Sequence, residues 1–99
     1  MFTLRYYPAV KKDIKELDNR HRDKIKKAIE EKLQVSPQSS GIPLKGDLSN
    51  CYKLRVGDYR VIYEIQENEV TILCIKHRKD VYKTAVKRIS SENFPRALI

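Results

Sequence analysis

The run Cys51-Tyr52-Lys53-Leu54-Arg55-Val56-Gly57-Asp58-Tyr59-Arg60 admits few folds. Apolar or aromatic residues alternate with cations on both sides of a Gly-Asp pair, the pattern of two strands joined by a two-residue turn. Such a turn sets the pairing: Val56 opposes Tyr59, Arg55 opposes Arg60, Lys53 opposes Ile62 and Cys51 opposes Glu64. Side chains alternate across a strand, so Tyr52, Leu54, Val56, Tyr59, Val61 and Tyr63 share one face while Lys53, Arg55 and Arg60 share the other. Like charges directly opposite each other cost stability, and Arg55 against Arg60 therefore needs a reason outside folding. A bound polyanion supplies one.

Periodicity and breakers define the elements around this hairpin. Phe2 to Tyr7 reads as a short strand that Pro8 ends. Val10, Ile14 and Leu17 recur at helical spacing, with Lys11, Lys12, Asp13, Lys15 and Glu16 on the opposite side, and Ile25, Ala28, Ile29 and Leu33 form a second stripe. The two helices are expected to pair as an antiparallel hairpin lying on a sheet. Ser36 to Pro43 is rich in turn formers and reads as a loop. Glu67-Asn68 marks a second turn, between Val61 to Gln66 and Glu69 to Ile75. With two residues in that turn, Tyr63 opposes Ile72, Val61 opposes Cys74 and Arg60 opposes Ile75. His77 then joins the cation-bearing face and Lys76 the other, and a slip of one residue exchanges them. Val81, Ala85, Val86 and Ile89 suit a final helix beginning near Asp80. The expected fold class is α+β, in the order β-α-α-β-β-β-α, with a helical hairpin packed on a small, mainly antiparallel sheet. One domain over residues 1–89 and a loosely held tail over 90–99, broken at Pro95, complete the expectation.

Among 99 residues, 21 Lys and Arg against 13 Asp and Glu give a net charge of +8 and a pI near 9.6. This balance favours nucleic acid or an acidic protein as partner. No apolar run reaches the length of a membrane span and the first residues lack a signal-peptide layout, so the chain reads as cytoplasmic with no membrane partner. Cys51 and Cys74 lack CxxC spacing and are expected on opposite sheet faces as buried thiols. The acidic residues are scattered, without a carboxylate cluster suited to Mg²⁺. No metal and no cofactor are expected.

A cationic strand face followed by His77, Arg78 and Tyr82 suits a phosphodiester. Cleaving RNA requires removing a proton from a 2′-hydroxyl, stabilising a phosphorane, and protonating the departing 5′-oxygen. Guanidinium groups serve the second task through planar paired donors. His77, Glu64 and Lys53 are the candidates for proton removal. Each assignment has a plainer counterpart: His77 as a structural strand-end residue, Tyr82 as packing on the sheet rather than stacking on a base, and Arg78 as an ion pair with Asp80. Lys45, beside flexible Gly46, is a secondary candidate for a phosphate contact.

This element order, together with Leu44-Lys45-Gly46, Cys51-Tyr52-Lys53-Leu54-Arg55, Tyr59-Arg60-Val61-Ile62-Tyr63 and His77-Arg78-Lys79-Asp80-Val81-Tyr82, resembles the RelE/ParE toxin superfamily from about Phe2 to Ile89, in its RelE-like branch. The resemblance implies a RelE-like (microbial RNase-like) fold. It also implies the toxin of a type II toxin-antitoxin system, a ribosome-dependent endoribonuclease (mRNA interferase) that works without a metal. The implied partners are a cognate RelB-like antitoxin, mRNA, and the ribosome with its ribosomal RNA. Lys53 and Arg55 match a Lys-x-Lys pair of RelE, with Arg replacing the second Lys, which removes one candidate base. Arg60 matches the phosphate-binding arginine, Arg78 the arginine proposed as general acid, and Tyr82 the base-stacking tyrosine. RelE has extra residues between the last two positions, so Lys76 and His77 compete with Arg78. The catalytic set implied is Lys53, Arg55, Arg60, Arg78, Tyr82 and His77; RNA contacts fall to Lys45, Lys53, Arg55, Arg60, Lys76 and Tyr82. ParE-like members share the scaffold but inhibit DNA gyrase, and a noncatalytic basic RNA-binding module is the third alternative.

Overall fold

The Gly57-Asp58 turn closes the hairpin that its sequence specifies. In the computed structural model, which describes residues 1–90, β3 (Cys51–Val56) and β4 (Tyr59–Gln66) pair antiparallel with Arg55 opposite Arg60 and Val56 opposite Tyr59. Gly57 has φ +60, the left-handed value that a type II′ turn places on its first central residue. A second two-residue turn, Glu67-Asn68, leads to β5 (Glu69–His77), antiparallel to β4. β1 (Thr3–Tyr6) lies parallel to β5, and the two-residue β2 (Ile42–Pro43) edges β3. The five-stranded sheet runs β1-β5-β4-β3-β2.

Helices cover both sheet faces. α1 (Val10–Lys15), α2 (Asn19–Ala28), the latter continued by a π turn over Ile29–Leu33, and the turn between the two helices bury Val10, Leu17, Ile25, Ile29 and Leu33 in a core shared with Val61, Tyr63, Ile72 and Ile75. Asp18 caps α2 by accepting the His21 N–H at 2.9 Å. On the other face α4 (Val81–Ile89) buries Val81 and Ala85, with Cys74 Sγ 3.8 Å from the Val81 carbonyl. The segment expected as a loop at Ser36 to Pro43 instead holds α3 (Pro37–Ser40) and β2. Buried Tyr63 organises it, donating its hydroxyl to the Pro37 carbonyl at 2.7 Å. A Cβ on Gly41 would overlap Tyr63 Oη, so glycine is required there. From residue 91 on, the expected tail lies outside the described residues.

A bulge corrects the expected pairing of β4 with β5. Tyr63 does oppose Ile72, but Ile62 opposes Cys74, Val61 opposes Ile75, Arg60 opposes Lys76 and Tyr59 opposes His77. Leu73 is the extra residue. The sequence hides it because Ile72-Leu73-Cys74-Ile75 is a continuous apolar run without the alternation that specifies register. Lys76 therefore sits on the cation-bearing face and His77 on the opposite one. Cys74 likewise moves to the face of Cys51, and both thiols are buried. They stand two strand spacings apart and two residues offset along the sheet, roughly 12 Å, beyond disulfide reach. Burial pushes the Cys74 thiol up to about 12.

Candidate nucleic-acid interface

Three strands bring Arg55, Arg60 and Lys76 into one cross-strand row, with Lys53 two positions along β3 on the same face. Arg60 is only 9% exposed, and its Nη1 donates to the Gly57 and Tyr59 carbonyls, both at 2.9 Å. The turn itself thus holds the guanidinium. Arg55 is exposed, and neither arginine has an ion-pair partner among the described residues. Two arginines paired across the hairpin, without an ion-pair partner among the described residues, concentrate positive charge there. The hairpin register creates it as the sequence predicts.

Tyr82 stands at the first turn of α4 and is 37% exposed, so it is not the packed core residue that its position suggests. Lys53 Nζ donates to Tyr82 Oη at 3.1 Å and lies 5.6 Å from the ring centroid. This contact ties β3 to α4 and leaves a ring available to stack.

The remaining candidates separate. Lys76 joins the row, but its Nζ donates to Glu16 Oε1 at 2.8 Å and lies 3.4 Å from Asp13 Oδ1. The hydrogen bond to Glu16 raises the ammonium pKa, and the same bond lowers that of Glu16. Its charge is thus spent largely within the protein. His77 projects from the opposite face, edge-on to Tyr59 at 5.8 Å, with Nδ1 accepting the Lys79 N–H at 3.2 Å. Glu64 lies on the cation face opposite Cys51, four residues along β4 from Arg60, a separation of roughly 13 Å. Arg78 pins the end of β5 to the hairpin turn through its N–H to the Asp58 carbonyl at 2.8 Å, with Nε 3.9 Å from Asp58 Oδ1. Its partner is Asp58 rather than Asp80. Lys45 is exposed beyond the Cys51 end of β3. Among the described residues, no group of three or more His, Cys, Asp and Glu side chains is placed to hold a metal ion.

Sequence reasoning missed one cluster altogether. Asp13, assigned to the solvent side of α1, is 1% exposed. Its Oδ2 accepts the Ile75 N–H at 2.9 Å and Arg88 Nη1 at 2.7 Å, and its Oδ1 accepts Arg88 Nη2 at 2.8 Å. A signal existed: Val10-Asp13-Leu17 and Val81-Ala85-Arg88 each place one charged residue at three- and four-residue spacing within an apolar stripe. One acid and one base on two buried stripes are the mark of a buried ion pair.

Comparison with known proteins agrees with this architecture. The family model for the ParE toxin of type II toxin-antitoxin systems matches residues 4–82. The mRNA interferase toxin RelE of Escherichia coli K12 is 34% identical over 84 residues, covering 79% of this chain and 86% of that protein. The toxin-antitoxin complex RelBE2 of Mycobacterium tuberculosis contains a chain that superposes with a TM-score of 0.73 at 28% identity, over 78% of this chain and 98% of that one. A free-state variant of E. coli RelE gives a TM-score of 0.70 at 30% identity, over 89% and 97% of the two chains. By sequence and fold, the chain belongs to the RelE/ParE toxin superfamily of type II toxin-antitoxin systems and is RelE-like.

Proposed function

We propose that this toxin is a ribosome-dependent endoribonuclease that cuts mRNA by metal-free attack of a 2′-hydroxyl on the adjacent phosphate. The observation that carries the reading is the Arg55–Arg60 pair, without a carboxylate partner among the described residues, beside an exposed Tyr82 held by Lys53. In the reaction the 2′-oxygen bonds to phosphorus and loses its proton, the bond from phosphorus to the 5′-oxygen breaks, and that oxygen takes up a proton. Arg55 and Arg60 stabilise the charge that grows on the phosphorane oxygens. Tyr82 stacks on a base and sets the attack geometry, Lys53 adds charge beside it, and Arg78 at the strand end donates to the leaving oxygen. His77 and Glu64 stand away from the arginine pair, which supports proton removal by a group of the ribosome or of the RNA. No described helix is long and apolar enough to cross a membrane, and translating ribosomes in the cytoplasm are the proposed place of action.

Purified protein added to translating ribosomes is expected to yield mRNA ends at codon-defined positions, and Arg60→Ala is expected to abolish them. Absence of such ends with wild-type protein would sink the proposal. A second reading, inhibition of DNA gyrase, draws on the ParE family match and on the distance of His77 and Glu64 from the arginines. Loss of supercoiling by gyrase without any mRNA scission would decide for it. RNA retention without scission or gyrase inhibition would mark a noncatalytic binder.

An antitoxin is the proposed restraint. The archaeal RelE–RelB complex from Pyrococcus horikoshii, a related structure, pairs a toxin with one. Here a groove of about 300 Å³, lined by Tyr6, Ile14, Leu17, Ile25 and Ile29 with Arg22 and Lys26 beside them, supports an amphipathic, acidic segment as the occupant.

A further inference from the structure

β5 outruns its neighbour. Among the described residues, the last backbone bond from the β1 side is the Tyr7 N–H to the Ile72 carbonyl, at 2.9 Å, beyond which the polar groups of Leu73 and Ile75 face no described strand. Side chains take its place. Asp13 from α1 accepts the Ile75 N–H, and Arg88 from the last turn of α4 donates Nη1 to the Leu73 carbonyl at 2.8 Å while gripping Asp13 through both Nη atoms. Asp13 is fully enclosed, and the Arg88 side chain is 13% exposed. A two-point guanidinium–carboxylate grip fixes direction as well as distance. Arg88 lies seven residues after Val81 and six after Tyr82, so this grip at one end of α4 governs where the other end sits over Lys53.

We propose that Asp13 and Arg88 are positioning residues of the RNA-cutting site, acting as a latch that docks α4 on the free edge of β5 and so seats Tyr82 against Lys53. The inference rests on the reading of Tyr82 as part of that site. It assigns no substrate contact to either residue. An ångström of displacement at a reacting geometry reduces rate by on the order of a hundredfold, so a latch remote from RNA bears on turnover more than on binding.

The test uses the full chain with Asp13→Asn, which removes the charge but retains an acceptor for Ile75, and Arg88→Met, which retains the apolar stem. Hydrogen exchange and proton NMR distances are read first, without ribosomes. The expected result is loss of protection in α4 and loss of the Lys53–Tyr82 contact, with β3, β4 and β5 still protected. Persistence of the contact in both variants would overturn the proposal. So would global loss of protection in both, since the pair would then hold the whole fold rather than α4. On translating ribosomes both variants should lower kcat by tenfold to a hundredfold, on the order expected for misplacement, with KM within about twofold. Adding Tyr82→Ala to Asp13→Asn should cost no more than the worse single change; additive losses would refute action through Tyr82. A wild-type protein that cuts nothing would remove the nuclease reading, while the NMR result would still decide whether the latch exists.

Discussion

Arg55 and Arg60 show how a single pair can oppose stability and serve a site. Their cross-strand repulsion is relieved in part because Arg60 turns its Nη1 to the Gly57 and Tyr59 carbonyls, but Arg55 gains no described partner. Arg55→Glu should therefore raise thermal stability by a few tenths of a kcal/mol, through an opposite-charge pair, while lowering mRNA cleavage by on the order of a hundredfold. A melting curve and a ribosome assay on the same preparation check both halves; lower stability or unchanged cleavage would contradict the account. Lys76 and Glu16 make a separate residue-scale prediction. The hydrogen bond to Lys76 lowers the Glu16 pKa from its ordinary 4.5, so the bond's contribution is complete above that value and is lost as pH falls through the depressed folded value. The Lys76 pKa is raised from 10.5, so on the ammonium side the contribution is complete below 10.5 and is lost only as pH rises through the raised value. Carbon-detected titration should place the Glu16 midpoint below 4.5 and move it upward in Lys76→Met; an unmoved midpoint would show that the contact does not form in solution.

At the scale of elements, the two β-turns repeat one geometry with unequal residues. Gly57 fills the left-handed position of the first, whereas Glu67, with φ +55, fills that of the second. A side chain is strained there, and Glu67→Gly should stabilise the protein by about 0.5 kcal/mol after the added chain entropy of glycine is subtracted. A higher denaturant midpoint with an unchanged m-value is the check. The same contrast shows which pairings were readable. The first hairpin had a glycine turn and strict alternation, and every pairing inferred from it holds. The second turn was located, but the bulge at Leu73 was invisible because neighbouring apolar residues satisfy both faces of a sheet covered on both sides. Assigning His77 rather than Lys76 to the cationic face followed from that gap.

For the whole molecule, a net charge of +8 exceeds what the site itself uses. If Lys53, Arg55 and Arg60 make the phosphate contacts, the affinity for single-stranded RNA should fall with a log–log salt slope of about −2, and Arg60→Ala should flatten it by roughly 0.7. A slope several units steeper, unchanged by Arg60→Ala, would assign binding to the lysines of α1 and α2. The sequence alone determined the order of β1, α1, α2, β3, β4, β5 and α4, though not α3 and β2 between them, the central hairpin with its register, and the meeting of Lys53, Arg55 and Arg60 on one face. Those features depend on contacts a few residues apart, where turn chemistry and side-chain period leave little choice. Folding in three dimensions settled the rest: the bulge, the faces of Lys76 and His77, the exposure of Tyr82, and the burial of Asp13 against Arg88, 75 residues away. Each of these depends on which surface a distant element covers, and the free edge of β5 gave the Asp13–Arg88 pair a place only once β1 had ended beside it.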